Sequence, residues 1–397
     1  MHTSSDNIFF NTKNVLKPKS RVYPWSAGEQ MKRWRNAMTD SRHTRIRSTA
    51  RDVAQALGIS QSTVSRAFTE DASVSPQTRA AILRMAGSMG YKPNALARSL
   101  ITNRSKIVGL VSGSGGNPFY ADALQRFSQH LQQQGYQTLL FTAPAGHDVD
   151  ALLPVVLQYQ VDAVIVLSAP LSAAMAEACE RANTPVILFN RALSGAKAHT
   201  VACDNVGGAA LVADWFAALD CRRPTFVAGR DDTSTNRERL QGFTSRLRER
   251  GMPLWRVVAG GDFTYEAGYR AMQTLLATPG DAPDAIFFAN DIMALGGIDA
   301  LKLDQETAAA GLHRRPAIVG FDGIAMGGWA SYQLSTIVQP LEEMVAAAVR
   351  IVTDPPPEGQ LVEAKLPGKV LVRASAPAAA PARPSVSPEQ SARAAVL

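Results

Sequence analysis

Cysteine and histidine are scarce in this chain of 397 residues, and neither is spaced as a functional site would require. The three cysteines, Cys179, Cys203 and Cys221, form no C-x-x-C pair, so we expect small buried hydrophobic residues rather than disulfide partners or metal ligands. The six histidines show no H-E-x-x-H or similar paired-ligand spacing. The sequence therefore predicts no metal and no other cofactor.

Long apolar runs are missing as well. No stretch approaches the roughly 18 consecutive apolar residues of a membrane span, and residues 1–20 lack the apolar core and cleavage site of a secretory signal. A chain of this length with 46% hydrophobic and 19% charged residues is typical of a globular protein of two or three domains. We expect no membrane partner and a cytoplasmic location.

Signatures of catalysis are equally absent. Gly113–Asn117 reads G-S-G-G-N, which lacks the Lys-Ser/Thr ending of a phosphate-binding loop and the full spacing of a dinucleotide-binding loop. An ordinary strand-to-helix turn is the better interpretation. No nucleophile, base and orienting residue stand in a recognisable pattern, so the chain is predicted not to be an enzyme.

Basic residues, by contrast, are concentrated at the front. Residues 1–47 hold ten Lys and Arg against three Asp and Glu, residues 48–105 hold seven against three, and residues 106–397 hold 24 against 28. A basic front on a mildly acidic body indicates that the front meets a polyanion. Residues 1–47 show no hydrophobic period and are predicted to be disordered. A basic tail without function, or a true start at Met38, are the alternatives.

Three short helices are predicted between residues 48 and 91. Ser48 or Thr49 can cap the first, Ser60 the second, and Ser75 with the following proline the third. A three-residue turn separates the first two, as in a helix-turn-helix motif, whose second helix enters the major groove of DNA. A solvated polar face on a small helical hairpin is the alternative. The candidate DNA-binding residues of this segment are Thr49, Arg51, Gln61, Ser62, Thr63, Ser65, Arg66, Ser75 and Thr78.

From residue 106 the pattern changes to β-rich runs that alternate with amphipathic helical stretches, as in parallel βαβ units. Eleven strands are expected, enough for two sheets. They are Ile107–Val111, Thr138–Phe141, Ala163–Leu167, Val186–Phe189, Thr200–Cys203, Thr225–Ala228, Val257–Ala259, Ala285–Phe288, Ala317–Phe321, Leu334–Val338 and Val370–Val372. The Ala/Pro/Ser-rich tail from Ala374 is predicted to be disordered.

Three motifs of the front segment occur in a characteristic order. D-V-A-Q-A-L-G-I-S-Q-S-T-V-S-R ends at Arg66, V-S-P-Q-T-R spans Val74–Arg79, and G-Y-K-P-N-A-L-A-R-S-L spans Gly90–Leu100. In composition and spacing they resemble the lactose repressor (LacI/GalR) family of bacterial transcription regulators. The resemblance implies a homodimer, or a dimer of dimers, that binds double-stranded operator DNA and a small-molecule effector.

The third motif adds a hinge to the expected DNA-binding surface. The resemblance implies that residues 94–105 contain a helix that folds on operator DNA beside its dimer mate. It assigns DNA contacts to Asn94, Ala97 and Leu100, with Leu100 as an apolar wedge that kinks the duplex from the minor groove. A plain core leucine is the alternative for Leu100.

Six stretches of the body resemble the effector domain of the same family, which is similar in fold to type I periplasmic sugar-binding proteins. They are N-P-F-Y from residue 117, D-N-V-G-G-A from 204, R-L-Q-G-F from 239, P-D-A-I-F-F-A-N-D-I-M-A-L-G from 283, V-G-F-D from 319 and L-S-T-I-V-Q-P from 334. The resemblance implies two lobes joined by three crossovers, with the ligand between them. The effector-binding candidates are Asn117, Phe119, Arg191, Arg239, Phe263, Asn290 and Asp322.

Two of these candidates, Arg191 and Arg239, would together suit an anionic effector such as a sugar acid. For Arg191 and Asn117 a strand-end or helix-cap role is the alternative. The expected function is therefore sequence-specific transcription regulation, of the repressor type, under the control of a sugar or sugar acid. A solute-binding protein of a transport system and a sugar-modifying enzyme on the same α/β fold are the alternatives.

The expected fold class is α/β. A three-helix helix-turn-helix head and a hinge helix precede a two-lobed, type I periplasmic-binding-protein-like domain of parallel sheets flanked by helices. The expected boundaries are 1–47 for a basic disordered leader, 48–93 for the DNA-binding domain, 94–105 for the hinge helix and linker, 106–373 for the effector-binding and dimerisation domain and 374–397 for a disordered tail.

Overall fold

Two units, Met1–Asn94 and Ala95–Leu397, make up the chain, and each has its own hydrophobic core. The computed structural model describes residues 48–69, 73–92, 104–113, 116–143, 149–167, 172–193, 195, 197–277, 282–307 and 315–377. The leader at 1–47, the hinge positions Asn94, Ala97 and Leu100, and residues 378–397 of the predicted tail lie outside the described residues.

The first unit contains the three predicted helices. They are α1 (Ala50–Leu57), α2 (Gln61–Ala67) and α3 (Pro76–Ser88). Each helix contributes one side chain with no solvent exposure to the core, namely Val53, Val64 and Ile82. A core this small depends on its helix ends as well as on its apolar contacts.

Those helix ends are closed by side chains, as the sequence predicts. Thr49 caps α1, and the carboxylate of Asp52 accepts the backbone N–H of Thr49 at 2.8 Å, which completes a capping box. Gly58 ends α1 with φ +65°, a left-handed conformation that favours glycine. Ser60 and Ser75 cap α2 and α3 by accepting backbone N–H groups. The sharp turn between α1 and α2 is thus set by local chemistry.

The second unit is built on two six-stranded sheets. The first sheet has the strand order β11-β5-β4-β3-β1-β2, and the second has the order β12-β10-β9-β8-β6-β7. All described pairs within them are parallel except the antiparallel pair of β10 with β12. The strands are β1 (Ile107–Gly113), β2 (Gln137–Ala143), β3 (Ala163–Leu167), β4 (Val186–Phe189), β5 (His199–Cys203), β6 (Pro224–Ala228), β7 (Arg256–Ala259), β8 (Ala285–Phe288), β9 (Ala317–Asp322), β10 (Ser335–Val338), β11 (Glu363–Leu366) and β12 (Lys369–Leu371).

Helices flank both sheets, so that each sheet with its helices forms one lobe. Lobe 1, around the first sheet, has α4 (Pro118–Gln133), α5 (Leu153–Gln158), α6 (Ala173–Arg181) and α11 (Leu341–Thr353). Lobe 2, around the second sheet, has α7 (Asn205–Ala218), α8 (Ser234–Glu249), α9 (Tyr265–Leu276) and α10 (Asp291–Thr307). Short 3₁₀ turns occupy Val149–Ala151 and Ala325–Gly328.

The chain passes between the lobes three times, after β5, after β10 and between β11 and β12. This agrees with the three crossovers that the family resemblance implies. In parallel sheets flanked by helices, loops after the strands meet at the carboxyl edge, where such folds bind ligands. The two carboxyl edges therefore supply the candidate cleft. Among the described helices, none combines the length and apolar composition that a bilayer crossing requires.

Three details differ from the sequence expectations. Strand β11 is missed because its residues, E-A-K-L, alternate between exposed and half-buried positions and present no apolar run. Residues 374–377 are packed rather than disordered, since Ser335 Oγ donates to Ala376 O at 2.9 Å and Ala376 has no exposed surface. Cys179 and Cys203 are buried as predicted, whereas Cys221 is half-buried. The predicted boundary at residue 373 is therefore too early.

Candidate functional site

The second helix of the head presents the polar face that DNA reading requires. Gln61, Ser62, Ser65 and Arg66 are exposed, while the apolar side of α2 is buried. Arg66 Nε lies 3.4 Å from the carbonyl oxygen of Ser62, so its guanidinium follows the exposed side of the helix. Glutamine and arginine on such a face can pair with adenine and guanine edges in the major groove.

Hydroxyl groups surround the amino ends of α2 and α3. Ser60 Oγ lies 2.8 Å from the hydroxyls of both Ser62 and Thr63, and Ser75 Oγ lies 2.8 Å from the hydroxyl of Thr78. Hydroxyls and free backbone N–H groups at a helix amino end suit a phosphate oxygen. The predicted residues Ser62, Thr63, Ser75 and Thr78 therefore all lie at the amino ends of these helices. Thr49 and Arg51 are exposed at the amino end of α1.

Arg79 is a residue of the head that the sequence analysis did not single out. Its Nη1 donates to the carbonyl oxygens of Ala67 and Thr69, at 2.9 and 2.8 Å. A cation at the carboxyl end of a helix satisfies the final carbonyls and opposes their negative partial charge. Arg79 thus holds the carboxyl end of the short helix whose polar residues face outward.

In the second unit, Asp322 joins the two lobes. Asn117 Nδ2, just before α4 in lobe 1, donates to Asp322 Oδ2 at 2.8 Å, and Gln339 Nε2 donates to Oδ1 at 2.7 Å. Asp322 ends β9 in lobe 2 and has only 5% of its surface exposed. Burial raises the pKa of the Asp322 carboxyl, while Arg239 and the hydrogen bonds from Asn117 and Gln339 oppose that rise.

Arg239 lies beside this carboxylate and is itself 2% exposed. Its Nη2 is 3.5 Å from Asp322 Oδ1, and its Nε donates to Asn205 Oδ1 at 2.9 Å. The guanidinium also stacks on Phe321, with 3.7 Å between Cζ and the ring centroid. A buried ion pair that is hydrogen-bonded on several sides has a fixed geometry, which suits recognition of a ligand.

Four buried polar atoms of the cleft side lack a hydrogen-bond partner among the described residues. They are Asn190 Oδ1, Arg191 Nε, Arg239 Nη2 and Gln339 Oε1. A buried polar group without a partner costs about 1 to 3 kcal/mol, and folded proteins contain few of them. Asn190 and Arg191 follow β4, Gln339 follows β10, and Arg239 Nη2 faces Asp322 at ion-pair distance. The two acceptors and one donor at these strand ends are complementary to hydroxyl groups, each of which donates and accepts.

The remaining predicted effector residues have more local contacts. Phe119 is 4% exposed and belongs to the core, with its ring centroid 5.3 Å from that of Tyr120. Asn290 Oδ1 accepts the N–H of Met293 and caps α10. Phe263 is half-buried and packs against the backbone of Gly229. Of the seven predicted residues, the structure joins Asn117, Arg239 and Asp322 by side-chain contacts, and the backbone N–H of Phe119 donates to Asn117 Oδ1 at 3.0 Å. Described contacts do not link Arg191, Phe263 or Asn290 to these residues.

Sequence reasoning missed Gln339, Asn205 and Asp291. All three lie inside motifs that resemble the family, at the end of L-S-T-I-V-Q-P, in D-N-V-G-G-A and in A-N-D-I-M. The motifs could have pointed to them, but their roles depend on contacts made across the second unit. Asn205, for example, bridges Arg239 to Glu238, whose Oε2 accepts from Asn205 Nδ2 at 2.9 Å.

A separate cavity of about 420 Å³ lies at the opposite, amino edge of the second sheet. Its lining includes Asp284, Lys302, Pro316 and Tyr332, and none of the cleft residues named above. In the cleft, Asp322 bonds directly to Asn117 and Gln339. The unpaired polar atoms, rather than a cavity volume, therefore indicate which ligand chemistry the cleft suits.

Comparison with known proteins agrees with both halves of this description. Residues 108–354 match the family model of the periplasmic binding protein domain, and residues 49–94 match that of bacterial regulatory proteins of the lacI family. The HTH-type transcriptional regulator CelR of Thermobifida fusca is 31% identical over 318 residues, 78% of this chain and 92% of CelR. The transcriptional repressor CytR of Escherichia coli K12 is 28% identical over 311 residues, 77% of this chain and 89% of CytR.

Solved structures are similar in fold over most of the chain. The lac repressor dimer bound to operator and the anti-inducer ONPF has a TM-score of 0.72 and 21% identity, and the match covers 83% of this chain and 99% of that one. A complex of the regulator CelR with cellobiose has a TM-score of 0.59 and 29% identity, covering 83% of this chain and 100% of that one. The chain therefore belongs to the lacI family of bacterial regulatory proteins, with a helix-turn-helix domain and a two-lobed domain of the periplasmic-binding-protein type.

Proposed function

We propose that this protein is a homodimeric transcription regulator, of the repressor type, whose affinity for operator DNA is controlled by a sugar bound between the lobes of its second unit. The relatives CelR and CytR are transcription regulators rather than enzymes or transport proteins, which supports a regulatory role without turnover. Since its target is chromosomal DNA, we place its action in the bacterial cytoplasm.

The observation that carries the effector proposal is the buried Asp322–Arg239 ion pair together with the buried, unpaired polar atoms of Asn190, Arg191 and Gln339, which follow strands of the two sheets. They complement the vicinal hydroxyls of a sugar, and Asp322 accepts from a hydroxyl once Asn117 releases it. Phe263 offers an apolar face for a sugar ring. Cellobiose, which the relative CelR binds, is the natural first probe. The free Nε of Arg191 supports a sugar acid as the alternative.

We assign operator contacts to the exposed face of α2 and to the hydroxyl-bearing helix ends. Gln61, Ser62, Ser65 and Arg66 meet base edges, while Thr49, Arg51, Thr63, Ser75 and Thr78 contact the backbone or the groove margin. Asn94, Ala97 and Leu100 of the hinge remain predictions from the family resemblance. The proposed domains are the head to residue 93, the hinge at 94–105, and a body whose packed structure reaches residue 377.

Control requires that the effector prefers one arrangement of the lobes, because a ligand with equal affinity for both arrangements shifts neither. The Asn117–Asp322 bond connects the lobes in the arrangement that the structure shows. A sugar that replaces this bond with its own hydroxyls changes the free energy difference between the arrangements, and the dimer carries that change to the paired hinges.

The test combines two screens on the full chain. Duplexes are selected from a random pool, and melting temperatures are measured with the matched pairs cellobiose and cellobionate, and glucose and gluconate. We expect a palindromic consensus and stabilisation by one or more of the four compounds. A neutral sugar that outperforms its acid supports the sugar, and the reverse order supports the sugar acid. If the selection enriches no sequence from the random pool, the result contradicts the DNA-binding proposal.

A further inference from the structure

A second buried carboxyl lies next to the cleft, and it is not one of the proposed effector contacts. Asp291 is the first residue of α10 and has no exposed surface. Gly320 of β9 lies so close that a Cβ at that position would be 2.2 Å from Asp291 Oδ1. The chain therefore brings a backbone without a side chain against this carboxyl, which indicates a built contact rather than a chance burial.

Asp291 is hydrogen-bonded on both oxygens. Oδ2 accepts the backbone N–H groups of Gly323 and Ile324 at 2.7 and 2.9 Å, and Oδ1 lies 2.5 Å from the hydroxyl of Thr336 on β10. Gly323 and Ile324 directly follow Asp322 in the chain. One side chain thus fixes the turn that carries the cleft carboxylate.

That turn has an unusual backbone. Asp322 has φ +136° and Gly323 has φ +82°, and positive φ is uncommon for a residue with a side chain. Such a conformation costs about 1 to 3 kcal/mol and persists where surrounding contacts hold it. The bonds from Gly323 and Ile324 to Asp291 are contacts of this kind, because they fix the two peptide groups after Asp322.

The charges of this region do not balance if both carboxyls are ionised. Arg239 faces Asp322 and is the cation of the buried cluster, whereas Asp291 has no arginine or lysine partner among the described ion pairs. Asp322 on β9 is the charged group that acts on Asp291. Asp291 also lies within hydrogen-bond distance of the Thr336 hydroxyl on β10 and of two backbone N–H groups of the turn. One cation and two buried carboxyls favour one ionised and one neutral acid.

We infer that Asp291 is a positioning residue for the cleft carboxylate of Asp322, and that it holds the turn after Asp322 as a protonated acid. The hydrogen-bond geometry accommodates the proton. Thr336 Oγ1 donates to Asp291 Oδ1 when the acid is ionised. When Oδ1 carries a proton, the direction of this bond reverses and the Thr336 hydroxyl donates to the carbonyl oxygen of Ile337, 3.3 Å away. Burial, together with the charge of Asp322, raises the pKa of Asp291 to about 7, in agreement with this assignment.

Two substitutions separate the positioning role from general stability. Asp291→Asn is an isosteric substitute for the neutral acid, because its amide oxygen accepts from the turn and its NH₂ donates to Thr336. Asp291→Ala removes both. Hydrogen exchange of the Gly323 and Ile324 amides in the full chain is the readout. We expect exchange about tenfold faster in D291A and near the wild-type rate in D291N. Equal protection in all three proteins would overturn the positioning role.

The pH dependence of the same exchange rates tests whether Asp291 is protonated in the folded protein. Opening the turn exposes Asp291 to water, where it ionises readily, so the corrected protection of the two amides should fall at least about tenfold from pH 5 to pH 8 in the wild type. D291N should show no such fall. A wild-type profile as flat as that of D291N would overturn the protonated assignment. Asp299→Asn, on the same helix but bonded to Tyr265 and Tyr332, is the control and should match the wild type.

The expected effect of Asp291 on ligand binding rests on the proposed function, and a separate affinity measurement tests it. Where cellobiose binds the wild type, we expect D291N to retain its affinity and D291A to lose about tenfold, because Asp322 is no longer held. Unchanged affinity in D291A would overturn the role of Asp291 in binding. Failure of the wild type to bind any compound of the panel would contradict the effector proposal alone, since the exchange experiments need no ligand.

Discussion

The side-chain amide of Asn117 donates a 2.8 Å hydrogen bond to the carboxylate of Asp322, and this bond connects lobe 1 with lobe 2. The same Asn117 caps α4 through its Oδ1, which accepts the N–H of Phe119 at 3.0 Å. One side chain therefore serves a local and a long-range purpose. The two can be separated, because the cap needs a short acceptor and the bridge needs a longer donor.

Asn117→Ser keeps a helix cap but is too short to reach Asp322. We expect it to lower the free energy of unfolding by about 1.5 to 3 kcal/mol, since a hydrogen bond to a buried charged group is lost. Urea unfolding of the full chain measures the change. Asp122→Asn, which removes half of an exposed ion pair with Arg126 on the same helix, should cost less than about 1 kcal/mol. Equal losses would mean that the bridge adds no stability.

Arg66→Ala should reduce affinity for the selected operator more than affinity for random duplex. The reason is that Arg66 lies on the exposed face of α2, where base edges are read, and one such contact contributes about 1 to 3 kcal/mol of discrimination. Fluorescence anisotropy on both duplexes gives the ratio. Arg84→Ala, on the exposed side of α3, is the matched control. An equal loss on both duplexes would make Arg66 a phosphate contact.

Arg79→Met should weaken operator binding about tenfold, because it removes the two bonds that hold the carboxyl end of α2. Arg79→Lys keeps the charge and should recover only part of the loss, since the planar guanidinium fixes the directions of both N–H groups on Nη1, whereas an ammonium on a flexible stem does not. The dependence of operator affinity on salt distinguishes a positioning role from a phosphate contact. With a positioning role, Arg79→Met leaves the slope of log affinity against log salt concentration unchanged. A slope reduced by about one in Arg79→Met, together with full recovery in Arg79→Lys, would indicate a phosphate contact instead.

Stability should fall with rising pH through Asp291. The acid ionises near pH 4 in the unfolded chain, while its folded pKa is raised to about 7, so the folded state binds the additional proton between these values. The wild type should therefore lose stability relative to D291N as pH rises from about 4 to 7, by at most about 1.4 kcal/mol per pH unit. Parallel urea titrations of the two proteins check this, and a constant difference across the range would contradict it.

The sequence predicts the framework of this protein better than its long-range polar contacts. All eleven expected strands are present, because each is a short apolar run, and Thr49, Ser60 and Ser75 cap the helices as their positions predict. Such signals are local. Strand β11 has no comparable signal, since its edge position leaves it without an apolar face.

The cleft shows the same division. The family resemblance indicated Asn117, Arg239 and Asp322, which meet in the structure. Asp291 was not foreseen, because its role follows from its approach to a turn 32 residues further along the chain. Arg79 was likewise missed as a support for α2, since nothing local shows where its guanidinium reaches. Residues that hold other functional residues in place are identified by packing rather than by pattern.

The central claim is a coupling between two sites, and one titration tests it directly. Operator affinity of the purified full chain is measured at physiological salt with and without the compound that stabilises it. We predict a preference for the operator over random duplex and a change of about 5 to 150-fold on adding the compound, in either direction. No preference for any duplex in either condition, or an operator affinity that saturating compound leaves unchanged, would contradict the account.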